Sequence, residues 1–307
     1  MNIFSDPFVS VVIPVFNDAE RLKICLKALK AQTYPKTLYE VIVVDNASDE
    51  GQDIQGVVAQ FDSAIAAFES TPGSYAARNR GLALAKGEVI AFTDADCVPA
   101  ADWLEKGVKA LLRTPNCGLV AGKIELFFKD PSRLTSIELF EKITAFAQKQ
   151  LLEQYKGGAT ANIFTFRKVI EQVGNFDTSF KSGGDLEWGK RVFEHGYQQI
   201  YAEDVQVAHP ARYSWGQIYR RTMRITAGLY SWQCRKAKSQ FEQNTIFIIC
   251  LAQNLIPPLN FMVSTFRDSR LKGLKPKLKV SLVMLFVRYI TALEVIRLKL
   301  GGIPVRN

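Results

Sequence analysis

Residues 9–15 read Val-Ser-Val-Val-Ile-Pro-Val, and Phe16-Asn17-Asp18 follows at once. A β-branched run without polar alternation predicts a strand covered on both faces, as in a parallel sheet. Asn17 and Asp18 are capping-type residues. Beyond them Leu22, Cys25, Leu26 and Leu29 recur at helical spacing across 19–31, and Tyr34-Pro35 closes the helix. Two further apolar runs end as abruptly. Val41–Val44 stops at Asp45-Asn46-Ala47-Ser48-Asp49, and Glu88–Thr93 stops at Asp94-Ala95-Asp96. Between them, a weak helix is expected from Val57–Phe61 on through Ala64–Phe68, and a firmer one over Ser74–Lys86. Strand alternating with helix predicts an α/β fold, a mostly parallel sheet flanked by helices. Such sheets bind ligands outside the carboxyl ends of their strands. All three polar clusters fall at those ends and are expected to share one crevice.

Further along, residues 101–155 read as largely helical, with a strand at Gly118–Phe127. Gly157-Gly158 leads a loop into an apolar run ending at Arg167. Gly183-Gly184-Asp185-Leu186-Glu187 opens a helix that carries Trp188, Arg191 and Val192. Tyr197–Val207 is expected as a pair of short strand pieces before His209-Pro210. The divisions expected are 1–100, a nucleotide-binding half; 101–211, an acceptor-binding half of the same domain; and 212–307, a basic and apolar helical region.

The 307 residues are 48% hydrophobic and 22% charged, ordinary for a globular chain with ample core. Five dispersed cysteines without a CxxC pair suggest neither a zinc knuckle nor a disulfide framework, and read as reduced thiols. No basic-then-apolar leader precedes Val9, so no secretory signal is expected. The net charge of +9 is uneven: residues 212–307 hold 17 Lys/Arg against 3 Asp/Glu, while residues 1–211 hold 22 against 27. A basic tail of this kind meets a polyanion, nucleic acid or an anionic membrane face. Nucleic acid is the lesser expectation, because no recognised module is present and the aromatics lie within apolar runs.

The candidate chemistry lies in the carboxylates. Asp94 and Asp96 alternate after a buried strand and can approach one hard cation, Mg²⁺ or Mn²⁺, which keeps positions open for diphosphate oxygens. A capped turn has the same composition. Asp45 can accept from a uracil-like base or from ribose hydroxyls. Arg78 and Arg80 stand near a helix start, where amides and guanidiniums favour phosphate. Asp185, with Glu187 in reserve, is a candidate base for an acceptor hydroxyl, although Asp also suits a simple N-cap. His209 could offer a neutral imidazole to the metal.

Taken in order, Ser10–Asn17, Val43–Ser48, Ala77-Arg78-Asn79-Arg80-Gly81 and Phe92–Cys97 resemble the family 2 glycosyltransferases, which have the GT-A fold. Gly174-Asn175-Phe176-Asp177, Gly184–Glu187 with Arg191, and Val207-Ala208-His209-Pro210 continue the likeness, which covers roughly 8–211. The resemblance implies inverting, metal-dependent transfer from a nucleotide-sugar. It places Pro14, Phe16, Asn17, Asp45, Arg78 and Asp94 at the donor, Asp94, Asp96 and His209 at the metal, and Asp185 as base. Two departures stand out. The acidic pair usual at the base position reads Gly184-Asp185. The Gln-x-x-Arg-Trp signature of processive synthases reads Gln217-Ile218-Tyr219-Arg220-Arg221 here, which favours transfer of a single sugar. The acceptor expected is a lipid-linked glycan or a polysaccharide precursor. A catalytically inactive binding subunit is the non-enzymatic alternative. A sugar-phosphate nucleotidyltransferase is the enzymatic one, but Pro14–Asp18 is not the glycine-rich activating loop it needs.

In the tail, Thr245–Ile256 stops at Pro257-Pro258 and Leu259–Phe266 resumes it. The first limb is short of the roughly 20 residues that span a bilayer, so a re-entrant or surface-lying hairpin is expected. Basic flanks favour the cytoplasmic face. Val280–Leu298, interrupted near one face by Arg288, Thr291, Glu294 and Arg297, reads as an interfacial amphipathic helix. A peripheral or monotopic place on the cytoplasmic side of the cell membrane is the resulting expectation.

Overall fold

Strand β1 (Val9–Val15) has parallel neighbours on both sides, β2 (Tyr39–Asp45) and β4 (Val89–Thr93), in the computed structural model, which describes residues 6–303. Its continuous apolar run follows from that position. Val9, Val11, Ile13 and Val15 face a core shared with Leu22, Cys25, Leu26 and Leu29 of helix α1 (Ala19–Lys30). Val12 points to the other face, where α3 (Ser74–Leu84) packs closely. A Cβ on Gly81 of α3 would meet Val12 Cγ1 at 2.5 Å, so only glycine allows this approach.

The sheet has eight strands in the order β3-β2-β1-β4-β7-β6-β8-β5. The other members are β3 (Ala64–Phe68), β5 (Val98–Pro99), β6 (Cys117–Phe127), β7 (Asn162–Phe166) and β8 (Gln198–Pro210). Pairing is parallel from β3 to β4 and antiparallel at β4–β7, β7–β6 and β8–β5. Buried Asn162 stitches the antiparallel part together. Its Nδ2 donates to Lys123 O at 2.8 Å and to Val205 O at 2.9 Å, and its Oδ1 accepts from Trp103 Nε1 at 2.9 Å. Trp103 opens α4 (Trp103–Arg113), in which Gly107 makes room for the Phe164 ring.

Two expectations of local structure are corrected. The segment 57–68 is not one helical stretch: α2 (Ile54–Val58) starts earlier and ends at Val58, and Ala64–Phe68 is the parallel edge strand β3. Its residues lie half-buried or exposed, so the pattern of a doubly covered strand never develops. Residues 198–210 form one long strand rather than two pieces.

The chain divides into two compact units. The first comprises 1–125, 146–179 and 184–209, and the second 126–145, 180–183 and 210–307. The first holds nearly all of the sheet, together with α6 (Gln148–Tyr155), α7 (Arg167–Val173) and α8 (Gly184–Glu194). The second is helical: α5 (Ser136–Thr144), α9 (Trp215–Lys236), α10 (Gln240–Leu255), α11 (Leu259–Arg267) and α12 (Leu274–Lys299). Capping boxes start two of these, Thr135 with Glu138 and Ser214 with Gln217. Ile137, Phe140, Ile218, Leu271, Val280 and Val283 form its core.

The polar stripe of α12 turns inward. Glu294 is buried and paired with Arg297, Thr291 meets Thr226 of α9 at 3.3 Å, and Arg288 Nε is buried. Leu278, Leu282, Tyr289 and Leu293 are left outside. Among the described residues no single helix is long and apolar enough to cross a membrane; α10 and α11, bent by 44° at the proline pair, pass that test only jointly.

Candidate active site

Loops at the carboxyl ends of β1, β2 and β3 are tied to one another by hydrogen bonds. Asn17, at φ 53°, receives its own clamp: its N–H donates to Ser48 Oγ, its Nδ2 to Asp49 Oδ2, and its Oδ1 accepts from Asp49 N. Asp45 Oδ1 accepts from Ser48 N at 3.0 Å. Buried Asn46 reaches the other way, donating to Glu69 O and Thr71 O and accepting from Gly73 N at 2.7 Å. Gly73, at φ 132°, sits where α3 begins. The turn after β2 therefore fixes the start of the arginine-bearing helix. Pro14, half-buried, lies past the last β1–β4 pair, Val12 with Phe92; it has no N–H to extend the ladder. Half-buried Phe16 follows β1 directly.

Helix α3 presents Arg78 to the DxD turn. Arg78 is buried, and its Nη2 meets Asp94 Oδ1 at 2.5 Å. Its Nε is buried without a hydrogen-bond partner. The guanidinium lies 5.6 Å from the centre of the Tyr75 ring. Tyr75, one turn earlier, donates its hydroxyl to Asp185 Oδ1 at 3.1 Å. Asp185 also accepts from Leu186 N at 3.1 Å and, more weakly, from Thr160 N at 3.4 Å. One continuous chain of contacts thus runs from Asp94 through Arg78 and Tyr75 to Asp185. Burial pushes the Asp185 carboxyl above the usual carboxylate range, against the pull of Arg78 and of these hydrogen bonds. Burial likewise pushes Tyr75 up, so its hydroxyl keeps its proton.

Glu187 is engaged elsewhere. Arg191 grips both of its oxygens, at 2.9 and 3.1 Å, and also donates to Val173 O and Asn175 O. This pair buttresses the Gly174 turn. The Gly174–Asp177 segment is held again by Asn79, which donates to Phe176 O and accepts from Phe176 N. The Phe176 ring packs on Tyr75, Phe92 and Trp188. Tyr75, Asn79 and Phe176 were not singled out from the sequence as working residues. Asn79 lies within Ala77–Gly81 and Phe176 within Gly174–Asp177, but neither motif pointed to these contacts.

Asp96 lies on the other side of the DxD turn. Its Oδ1 is 3.5 Å from His209 Nε2, and its Oδ2 is 3.7 Å from Arg21 Nη1. His209 is buried against Phe146, with ring centres 4.5 Å apart. Asp96, Cys97 and His209 bring potential ligand atoms within 4.8 Å of one another. Burial pushes the Asp96 carboxyl up, His209 opposes this, and Asp94 adds to it. A divalent cation would relieve that crowding of carboxylates, so the donor set fits one. Cys97 suits a hard cation poorly, because a thiol is a soft donor. An imidazole beside a carboxylate leans toward Mn²⁺ over Mg²⁺.

All of the sequence-derived candidates, Pro14, Phe16, Asn17, Asp45, Arg78, Asp94, Asp96, Asp185, Glu187 and His209, belong to the first unit. Contacts join Arg78, Asp94 and Asp185, join Asp96 to His209, and tie Asp45 to Asn17 through the 45–49 turn.

Known proteins share this framework. The model of glycosyl transferase family 2 matches residues 10–174. Glycosyltransferase AglE of Haloferax volcanii is 40% identical over 227 residues, 72% of this chain and 73% of that protein. A pre-mycofactocin glycosyltransferase of Mycobacterium tuberculosis is 29% identical over 211 residues, 66% of this chain and 43% of the relative. Among solved structures, the mannosyltransferase PcManGT from Pyrobaculum calidifontis, in complex with GDP-Man and Mn²⁺, aligns with a TM-score of 0.65 at 20% identity. That alignment covers 95% of this chain and 88% of the other, and at such identity it speaks for the fold. The strand-end carboxylates, the buried arginine of α3 and these matches agree: the chain belongs to glycosyl transferase family 2 and is a sugar transferase of the GT-A fold.

Proposed function

We propose that the first unit binds a nucleotide-sugar with Mg²⁺ or Mn²⁺ and transfers its sugar, with inversion, to an acceptor hydroxyl. The observation that carries this reading is the contact chain Asp94–Arg78–Tyr75–Asp185, which joins a diphosphate-binding arginine to a candidate base through one aromatic side chain. Support for the nucleotide-sugar and the metal comes from the similar fold solved with GDP-Man and Mn²⁺.

Asp45, whose second oxygen makes no hydrogen bond among the described residues, binds the base or ribose, with Pro14, Phe16 and Asn17 shaping that end. Asp94, Asp96 and His209 would hold the cation. A bound divalent cation supplies positive charge at the diphosphate oxygens and makes the nucleoside diphosphate a better leaving group. Arg78 adds charge at the same oxygens, and its unpaired Nε is a donor in reserve for them. Asp185 takes the proton of the acceptor hydroxyl. That oxygen bonds to the anomeric carbon as the bond to the diphosphate breaks on the opposite face, so one base and one displacement give inversion. Glu187, held by Arg191, positions α8 rather than serving as base.

The proposed division of labour is donor binding by 1–100, acceptor binding by 101–211 and membrane association by 212–307. The acceptor is a lipid-linked glycan or a polysaccharide precursor at the cytoplasmic membrane face. Exposed Leu278, Leu282, Tyr289 and Leu293 on α12, with Ile248 and Phe241 on α10, supply apolar contact area within the second unit. Lys275, Lys277 and Lys279 on α12 favour anionic lipid.

Turnover of a nucleotide-sugar panel, with release of nucleoside diphosphate as readout, tests the reading. Chelation with EDTA abolishes release and Mn²⁺ restores it, and Asp185→Asn lowers kcat by about 10²–10⁴ at unchanged donor affinity. Activity indifferent to both would remove these residues from their roles.

A further inference from the structure

One turn of the chain is held in a conformation that its residue does not favour. Ala145, Phe146 and Ala147 link Thr144 of α5 to Gln148 of α6. Phe146 stands at φ 50°, in the left-handed region. Among the described residues it is the bulkiest of those other than glycine with positive φ, the rest being Asn17, Ala47, Asn116 and Lys156. Asn visits that region readily, whereas a bulky side chain is strained there. The turn is tight as well: Gln148 N donates to Phe146 O at 2.8 Å across Ala147. Gln148 is itself buried, and its Oε1 accepts from Ala159 N at 2.7 Å, which anchors the turn to the loop before β7. Strain of this kind persists only where the surroundings impose it, and it gathers at working sites.

What the strained backbone delivers is an aromatic ring. The centre of the Phe146 ring is 4.5 Å from that of His209, with the planes tilted by 48°. The ring also packs on the core of the first unit. Strand β8 fixes the backbone of His209, but the torsion that turns an imidazole plane has a broad, roughly two-fold profile. A ligand nitrogen offers its lone pair in that plane, so the plane must be set before a cation arrives. Here His209 Nε2 lies 3.5 Å from Asp96 Oδ1.

We propose that Phe146 is a positioning residue for the metal site: its ring holds the His209 imidazole with Nε2 toward Asp96, and the strained turn places the ring there. The role rests on the proposed function, in which His209 helps to hold the cation.

The test is titration of the full chain with Mn²⁺, free Mn²⁺ being followed by electron paramagnetic resonance. It is run with the metal alone and with the nucleoside diphosphate that the turnover panel releases. Phe146→Leu keeps an apolar side chain for the core but loses the flat ring, and Mn²⁺ affinity is expected to fall about tenfold. Phe146→Tyr keeps the ring and restores wild-type affinity. Phe146→Asn suits the backbone and relieves its strain, yet affinity falls as it does for Phe146→Leu. In a His209→Ala background Phe146→Leu causes no further loss, because the ring acts through the imidazole. Wild-type affinity in Phe146→Leu or Phe146→Asn would overturn the role. A further loss in the His209→Ala background would overturn it too, and would make Phe146 a residue of the core. Should one of the two variants fail to fold, the other decides. Wild type that takes up no Mn²⁺ in either condition sinks the metal reading and this role with it. Uptake that is indifferent to the ring sinks this role alone.

Discussion

Asp185 accepts one hydroxyl and two backbone N–H groups, and each favours its ionised form against burial. A base must be ionised before reaction, so a raised pKa sets an acid limb: turnover falls as pH drops through a value above the ordinary carboxylate range. Tyr75→Phe removes a hydrogen bond that lowers this pKa. The limb of kcat/KM therefore moves to higher pH, by up to about one unit for a bond of about 0.5–1.5 kcal/mol. Rates well above the limb suffer less. An unmoved limb would mean that Asp185 is not the titrating base. Tyr75 was invisible as a functional residue in the sequence, because its partner stands 110 positions away. Asp94, Asp96 and Asp185 could be singled out only jointly: each alone reads as well as a capped turn or an N-cap, and their order along the chain, in the pattern of family 2, is what marked them.

Helix α8 owes its place to two glycines. A Cβ on Gly189 would lie 2.5 Å from Gly157 Cα, and one on Gly157 would lie 2.8 Å from Leu186 Cα. Both contacts are with backbone, so no side-chain rotation relieves them. Gly189→Ala is expected to push α8 away from the 157–160 loop, lowering stability by about 1–3 kcal/mol as overpacking does. It should also lower turnover more than nucleotide-sugar affinity, because Asp185 moves and the donor ligands do not. A variant with wild-type kcat would contradict this placement. Elements with firm periodicity, such as β1 and α1, were readable from sequence. Strand β3 was not: its Ala-rich segment at the sheet edge has half-buried and exposed residues without the β-branched signal of β1. Asn46 and Asn79 fall within the Val43–Ser48 and Ala77–Gly81 motifs, but what they hold did not show in sequence, since their partners are distant backbone groups.

At the scale of the molecule, the asymmetry of charge has a structural counterpart: carboxylate chemistry in the first unit, and arginines with exposed leucines in the second. Sequence periodicity showed that α12 has two faces, but not which one the protein covers. Thr291 of the polar stripe meets Thr226 of α9 and Glu294 is buried, while the leucines stay outside. Leu278, Leu282 and Leu293 are each more than half exposed, so replacing all three by Gln should leave Tm nearly unchanged. If they enter lipid, the same triple variant loses more than about tenfold in affinity for anionic vesicles, since burying even part of each side chain contributes about 1 kcal/mol or more. Unchanged sedimentation would reject a membrane role for this face. The central claim, that the strand-end carboxylates of the first unit gather one cation and one nucleoside diphosphate, is tested most directly by anomalous diffraction from crystals grown with Mn²⁺ and the nucleotide-sugar that the turnover panel selects. A manganese peak within coordination distance of Asp96, with the diphosphate beside Arg78 and the base beside Asp45, is the result predicted. Manganese bound away from Asp94, Asp96 and His209 while nucleotide is present would contradict it.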